Sequence, residues 1–403
     1  MIKKILKRNE YLYSFLVNKY EAFLLGFRRN KSFRYRFLAI ESKKIVFDNF
    51  AGKGYGGNPM YIAEALLEQQ NNYDLVWLVN DLNTPMPKEI RKVKINSSEA
   101  YYEISTARIL VDNVKDFSKP KKRKGQYYIQ TWHGAVALKA IERDAKDSLP
   151  KAYLRQTKRD SKDIDLFVAE TKMSKESLKR LFWYDGEVAE ASFNKYSFDF
   201  EIKKREVFSC FGLDRETKII LYVPTFRKNG SMDCYNIEYE RLLSVFEKTY
   251  GGKWVVIIRL HPVISRFCNS IQYNSRVLDG TNYNSVEALI ATTEAIITDF
   301  SSCMFEAYRY KKKVFLYASD YEEYVRSDRR LYFDLDSMPS PMCTNMDELV
   351  YTVENLNDSD YEIKRQKLID KIGFYDNDAA EICCERIVNI IGENDGGNIK
   401  TGQ

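Results

Sequence analysis

The sequence predicts an α/β fold with two Rossmann-like lobes facing a cleft, preceded by a basic N-terminal helical segment. The chain has 403 residues, of which 44% are hydrophobic and 30% charged, so it is globular and too long for one ordinary core. Continuous Val, Ile and Leu runs alternate with helical stretches, which is typical of parallel sheets covered on both faces. Two such series of similar length follow each other, which predicts two doubly wound units.

The basic segment, residues 1–42, is the first element. Residues 1–36 contain ten Lys or Arg and two Glu, interleaved with aromatic and aliphatic residues at near-helical spacing. Such a helix can lie on an anionic bilayer, or it can pack on its own domain with a solvated basic face. Nucleic acid is a weaker third interpretation of this charge, because no base-reading motif accompanies it, and we expect no nucleic-acid partner. No run reaches the roughly 20 apolar residues of a spanning helix, so we expect a peripheral protein at the cytoplasmic face of a membrane.

The two lobes follow in order. The first lobe, residues 43–205, contains the strand-like runs KKIVFDNF, DLVWLVN, ARILVDN, YYIQTWHG, IDLFVAE and EVAEASF. The second lobe, residues 206–392, contains KIILYVPTFR, WVVIIRLHP, SRVLDG, AIITDFSS and KVFLYASD and ends in helices, and a disordered tail is expected over 393–403. The seven cysteines lack CxxC spacing, which favours a reducing compartment and predicts neither a disulfide framework nor a zinc site.

The chain contains two histidines, and each directly follows an apolar strand. His133 ends YYIQTWH, where Gly134 allows a sharp turn, and His261 ends VVIIRLH before Pro262. A single histidine is more often structural, but two at equivalent strand ends favour a catalytic pair. An imidazole with its unperturbed pKa near about 6.5 can take a proton from a hydroxyl or, when charged, stabilise phosphate oxygens.

A phosphate-binding pocket is predicted in the second lobe. Asp299 directly follows the strand AIIT. Ser301 and Ser302 then precede a helical segment whose first amides could hold an anion. An ordinary N-cap would explain these serines alone. The neighbouring strand ends, however, carry further cations and donors suited to a diphosphate. These residues are Thr225, Arg227, Arg259 and His261.

A glycine-rich loop follows the first strand. Gly52, Gly54 and Gly57 satisfy GxGxxG, which invites a dinucleotide-binding interpretation. The following helix is expected to begin only at Asn58 and Pro59, as an N-cap and N1 pair, so the loop is longer than a dinucleotide turn. We therefore favour a flexible loop whose backbone amides are available to an acceptor phosphate.

Taken in order, YIQTWHG, YVPTFR, IIRLHP and ITDFSSCMFEAYRYKKKVFLYASDYEEY resemble the CDP-glycerol glycerophosphotransferase family over roughly residues 44–345. The resemblance implies a GT-B fold and attack of an acceptor hydroxyl on the β-phosphate of CDP-glycerol or CDP-ribitol, with release of CMP. It implies that His133 is the general base, and it makes residues 43–205 the acceptor side and 206–392 the donor side. The donor residues would be His261, Thr225, Arg227, Arg259, Asp299, Ser301, Ser302 and Glu306, and the acceptor-side residues Gly54, Gly57, Asn58, Gly134 and Lys139.

The resemblance also implies a lipid-linked teichoic acid or capsule-like acceptor. The basic segment adds an anionic membrane surface as an expected partner. The sequence shows no cluster of metal ligands, so we expect no metal and no cofactor, and a homo-oligomer is possible. Ala135, Val136 and Ala137 depart from the family's usual HGTPLK, which suggests a different acceptor or polyol. Two alternatives stay open. The chain could be a GT-B glycosyltransferase using a nucleotide sugar, or a non-catalytic scaffold docking a polymer-assembly complex.

Overall fold

The structure is a computed structural model that describes residues 33–69, 72–115, 119–193, 200–227, 230–261, 264, 271–283, 285–327 and 330–395. Most of the predicted basic segment 1–42 therefore lies outside the described residues. By internal contacts the chain divides into two units. The first contains the described residues of 1–133, 141–194 and 375–403, and the second those of 134–140 and 195–374.

The first unit is a seven-stranded parallel sheet with helices between its strands. Its strands are β1 Glu41–Asp48, β2 Asp74–Val79, β3 Ile90–Lys94, β4 Ala107–Asp112, β5 Tyr127–Gln130, β6 Leu166–Ala169 and β7 Glu187–Glu190. Its helices before residue 194 are α1 Gly57–Glu68, α2 Ser98–Thr106, α3 Lys151–Asp160 and α4 Lys172–Phe182. The strand order β3-β2-β1-β4-β5-β6-β7 reverses between β1 and β4, so loops after these two strands border the crevice where such sheets bind ligands.

The second unit repeats this order in a six-stranded parallel sheet, β10-β9-β8-β11-β12-β13. Its strands are β8 Lys218–Tyr222, β9 Trp254–Ile258, β10 Val277–Asp279, β11 Ala295–Thr298, β12 Lys313–Tyr317 and β13 Met342–Cys343. Its helices are α5 Phe200–Phe211, α6 Tyr239–Tyr250, α7 Val286–Thr292, α8 Cys303–Arg309, α9 Tyr321–Ser327, α10 Met346–Asn355 and α11 Asp358–Ile372. The strand order of this sheet reverses between β8 and β11. Both units are therefore doubly wound, which confirms the predicted pair of lobes.

The predicted extent of the second lobe, 206–392, is wrong at its end. The last helix, α12 (Ala379–Asp395), packs in the core of the first unit. Its buried face, which includes Cys384 and Ile387, lies with Ile62 of α1 and Phe47 of β1 in one apolar cluster. The helix also includes residues 393–395 of the predicted tail, and residues 396–403 lie outside the described residues.

Strands β3 and β13 are not predicted from the sequence. Strand β3 lies at a sheet edge and reads IRKVK, so three of its five side chains are charged and only Ile90 and Val93 are buried. Strand β13 has two residues. None of the described helices is long and apolar enough to cross a membrane.

Candidate active site

Two Asp-Asn pairs end the central strands of the first sheet. Asp48 and Asp112 are register partners in β1 and β4, and both carboxylates are buried. The asparagines after them are joined, since Asn113 Nδ2 donates to Asn49 Oδ1 over 2.7 Å. The backbone N–H of Phe50 donates to Asn113 Oδ1 at 2.9 Å. The loops after the two central strands are therefore tied together at the sheet's switch point.

His133 lies against these loops with its ring exposed. Its Nδ1 is 2.8 Å from the backbone carbonyl oxygen of Asn113. Because a carbonyl only accepts, Nδ1 carries the proton in this bond, and Nε2 of the neutral ring holds the lone pair. The rings of Trp132 and Phe50 lie 4.1 and 5.1 Å from the imidazole, between centroids. The bond to Asn113 therefore decides which ring nitrogen carries the proton, and the two aromatic rings flank the imidazole.

The sharp turn beside His133 is made by Trp132 and not, as expected, by Gly134. Trp132 has φ 54°, in the left-handed region that a tryptophan rarely adopts, whereas Gly134 is not among the residues with positive φ. Asn58 Nδ2 supports this turn, because it lies 3.2 Å from the carbonyl oxygens of both Thr131 and Trp132. Backbone strain at the residue before a candidate catalytic group is typical of active sites.

The predicted N-cap role of Asn58 is wrong. The helix α1 begins at Gly57, and the Asn58 side chain is buried and donates to carbonyl groups and to Glu170 Oε1 at 3.2 Å. Gly57 has φ 62°, and a Cβ there would lie 2.6 Å from Asn49 Oδ1. Gly54 has φ 105°, and its carbonyl accepts from Trp77 Nε1 at 3.1 Å. These glycines are needed for the loop's path beside the two asparagines.

In the second unit, Asp299 and Arg227 form a buried ion pair at the β8/β11 switch point. Arg227 Nη2 lies 2.8 Å from Asp299 Oδ2, and Arg227 Nε lies 2.6 Å from Asp320 Oδ2. Asp299 Oδ1 accepts from the backbone N–H of Thr225 at 2.8 Å. Burial opposes the charge of Arg227, but the hydrogen bond to Asp320 and the charge of Asp299 outweigh it and raise its pKa. This pair holds the PTFR loop against the end of β11.

Lys139 and Gly134, expected on the acceptor side, belong to the second unit. Lys139 pairs with Leu331 in an antiparallel bridge, and its Nζ donates to Tyr324 Oη at 3.1 Å. The Tyr324 ring stacks on Phe300, with centroids 3.7 Å apart. Residues 134–140 therefore follow His133 in the chain but pair with residues beyond α9. Their position in the sequence could not indicate this pairing.

The other predicted donor residues surround the same switch point. Arg259 Nη1 donates to the carbonyl oxygens of Gly280, at 3.2 Å, and Tyr283, which orders the loop after β10. Burial lowers the pKa of Arg259, and the charge of Glu287 partly offsets this. The exposed His261 ring packs against Phe226, with centroids 4.9 Å apart.

The two serines before α8 lie at the start of the helix, as the sequence predicts. Ser302 is the N-cap residue, but its side chain makes no capping hydrogen bond. Ser301 Oγ instead accepts from the backbone N–H of Cys303 at 3.4 Å. Glu306 lies in the first turn of this seven-residue helix. Among the described residues, no group of three His, Cys, Asp or Glu side chains could hold a metal ion.

Several site residues were missed from the sequence, above all Asn113, Asp320 and Tyr324. A signal for Asn113 was present, because β1 and β4 both end in an apolar run followed by Asp-Asn. Asp320 and Tyr324 carry no such signal. Their roles depend on the packing of α9 against the end of β11.

The chain matches the family described as CDP-Glycerol:Poly(glycerophosphate) glycerophosphotransferase over residues 31–393. It belongs to this family. The match spans both units, and the resemblance carried by the strand-end motifs is thereby confirmed.

Family relatives include teichoic acid polymerases for two polyols. A teichoic acid poly(glycerol phosphate) polymerase of Staphylococcus epidermidis is 30% identical over 85% of the chain, and a poly(ribitol-phosphate) polymerase of Bacillus spizizenii is 24% identical over 79%. The chain spans about half the length of these two relatives, 50% and 52%.

The solved wall teichoic acid polymerase TagF has the same fold. An asparagine-for-histidine variant of TagF is 26% identical, with a TM-score of 0.79 over 95% of this chain and 98% of that one. This likeness confirms the GT-B type of fold. A further TagF variant has alanine in place of a histidine, and the asparagine variant has also been solved after soaking with CDPG.

Proposed function

We propose that the chain transfers glycerol phosphate, or ribitol phosphate, from a CDP-polyol to a hydroxyl of a teichoic acid or capsule-like polymer and releases CMP. Membership of the family and the polymerase activity named for its relatives support the reaction class. The observation that carries the proposal in this chain is the bond between His133 Nδ1 and Asn113 O, which leaves Nε2 as a proton acceptor.

In the proposed step, His133 Nε2 takes the proton from the acceptor hydroxyl as its oxygen attacks the β-phosphorus of the donor. The new phosphorus–oxygen bond replaces the bond between the β-phosphorus and the oxygen of CMP, and CMP leaves with that electron pair. The proton stays on the imidazolium until solvent or the leaving phosphate takes it. A histidine substitution was made in the TagF variants, one of them soaked with CDPG, which is consistent with such a role.

The donor is proposed to bind at the β8/β11 switch point of the second unit. Arg259, His261, Ser301 and Ser302 lie at strand ends there and would contact the diphosphate and cytidine, with Thr225 and Glu306 nearby. Arg227 and Asp299 satisfy one another's charge, so we assign them to holding the loop and not to direct phosphate contact. On the acceptor side we retain Gly54, Gly57 and Asn58, which shape the loop beside His133.

We also propose that residues 1–36 bring the enzyme to the cytoplasmic face of an anionic membrane, where its lipid-linked acceptor would lie. Ten cations among these residues support this. Deleting residues 1–36 should release the protein from vesicles containing anionic lipid. Full retention of the shortened protein would contradict this assignment while leaving the transfer reaction untouched.

Donor identity is tested by thermal unfolding in the presence of candidate donors. CDP-glycerol or CDP-ribitol should raise the unfolding temperature, because a ligand that binds only the folded state stabilises it. A nucleotide sugar should have no effect at the same concentration. Protection by the nucleotide sugar alone would favour a glycosyltransferase, and protection without CMP release from either CDP donor would favour a non-catalytic protein.

A further inference from the structure

A lysine whose ammonium group is buried lies between the carboxylates that end the two central strands of the first sheet. Lys119 forms an ion pair with Asp112 Oδ2, and its Nζ is 3.9 Å from Asp48 Oδ2. The side chains of Asp48 and Asp112 are 2% and 1% exposed, and that of Lys119 is 11% exposed. Two carboxylates paired in register at this depth would repel each other strongly without a cation between them.

Each carboxylate holds one of the two loops beside His133. Asp48 Oδ1 accepts from the backbone N–H of Gly52 at 2.8 Å, in the loop that carries Phe50. Asp112 Oδ1 accepts from the N–H of Val114 at 3.0 Å. This hydrogen bond joins the two residues on either side of Asn113 and so restricts the backbone at Asn113. The Asn113 carbonyl is the group that accepts from His133 Nδ1.

We propose that Lys119 is a positioning residue for His133, acting through Asp112 and Asn113 to hold the imidazole in its Nδ1-protonated tautomer. Without the cation, the two carboxylates separate or one takes up a proton, and the loops they hold lose their common anchor. The carbonyl of Asn113 then no longer faces His133 at 2.8 Å. The kinetic part of this inference rests on the proposed function, but the tautomer of His133 does not.

A second buried lysine in the same unit provides a matched control. Lys44 is 2% exposed, and its Nζ lies 2.7 Å from Glu103 and 2.6 Å from Glu41. It is on β1, four residues before Asp48, so at about 3.3 Å per residue it lies about 13 Å from the end of the strand that adjoins His133. Lys44→Met removes a cation from between two carboxylates, as Lys119→Met does, but at a distance from the site.

The test uses protein labelled with 15N in its imidazole rings. The chain has two histidines, and a His261→Ala variant assigns the signals of His133. We expect neutral His133 in wild-type protein and in Lys44→Met to show a protonated Nδ1 and an unprotonated Nε2. In Lys119→Met the two shifts should move towards each other, as both tautomers become populated.

Turnover provides the second readout. Lys119→Met should release CMP about 10- to 100-fold more slowly with an unchanged KM for the donor, which is the size of loss expected when a supporting group is removed. Lys119→Arg, which keeps the cation, should recover most of both properties. If Lys119→Met does not fold, Asp112→Ala, which removes the carboxylate that accepts from the N–H of Val114, should give the same change in His133 shifts.

Unchanged His133 shifts in a folded Lys119→Met protein would overturn the proposal, as would an equal change in Lys44→Met. A change in His133 shifts in a chain that releases no CMP from any CDP donor would uphold the positioning role and overturn only the proposed function.

Discussion

Asn113 donates a hydrogen bond from its side-chain amide to Oδ1 of Asn49 over 2.7 Å, joining the loops that follow β1 and β4. The carbonyl group of the same Asn113 accepts from the imidazole of His133. One residue therefore connects the glycine-rich loop to the proposed base. A substitution that shifts the glycine-rich loop should therefore also shift Asn113 and alter its hydrogen bond with His133.

Gly57→Ala should lower both stability and turnover. Its φ of 62° costs a residue with a Cβ about 1 to 2 kcal/mol, and the Cβ would lie 2.6 Å from Asn49 Oδ1 and 2.8 Å from Asn113 Nδ2, so the asparagine pair must shift. The matched control is Gly251→Ala, because Gly251 also has φ 62° but a Cβ there would meet nothing within 4 Å. Gly57→Ala should lose more unfolding free energy than Gly251→Ala in urea denaturation, and it should release CMP more slowly. Equal losses in the two variants would mean that the asparagine pair is not under this steric constraint.

Arg227→Met should destabilise the second unit by about 3 to 5 kcal/mol, because it leaves the buried carboxylate of Asp299 without its cation. The exposed pair between Arg241 and Asp347 provides the comparison, and Arg241→Met should change stability little. Denaturant unfolding of both variants measures the difference. A similar, small loss in the two would show that Arg227 is not needed to compensate Asp299.

Lys115 should make stability depend on pH in the alkaline range. Burial lowers its pKa to about 8, although the charges of Glu142 and Asp160 oppose this shift, and its Nζ donates to Ser161 Oγ at 2.6 Å. Between pH 8 and the usual lysine pKa of about 10.4, the unfolded chain binds the proton that the folded protein has released, so stability rises with pH. From pH 8 to 10 the unfolding free energy of wild type should therefore rise by about 2 kcal/mol relative to Lys115→Met. A constant difference between the two proteins would contradict the lowered pKa.

The positions of the strand ends could be predicted from the sequence. Apolar runs identify buried parallel strands, and the polar residues directly after them lie at the carboxyl edge where ligands bind. This logic placed His133 and Asp299 beyond β5 and β11, as the structure has them. It could also have found Asn113, since the Asp-Asn ending of β4 repeats that of β1.

The remaining features depend on contacts between distant residues. Lys139 joins the second unit because it pairs with Leu331, and α12 joins the first because its apolar face fits the core beside α1. The left-handed conformation of Trp132 is also invisible in the sequence, since local preference would have assigned the turn to Gly134. Tertiary packing overrides local preference at each of these positions.

The proposed reaction and the role of His133 are tested together by CMP release from CDP-glycerol and CDP-ribitol, with a lipid-linked polymer acceptor, by wild type and His133→Ala. We expect wild type to release CMP from one of these donors, and His133→Ala to release it at least about 100-fold more slowly, because general-base catalysis typically contributes about 10² to 10⁴-fold. Both proteins should bind the donor equally well, since the residues proposed to contact it, Arg259, His261, Ser301 and Ser302, are unchanged in His133→Ala. Equal CMP release by the two proteins would contradict the role of His133, and no release by wild type from either donor would contradict the proposed reaction.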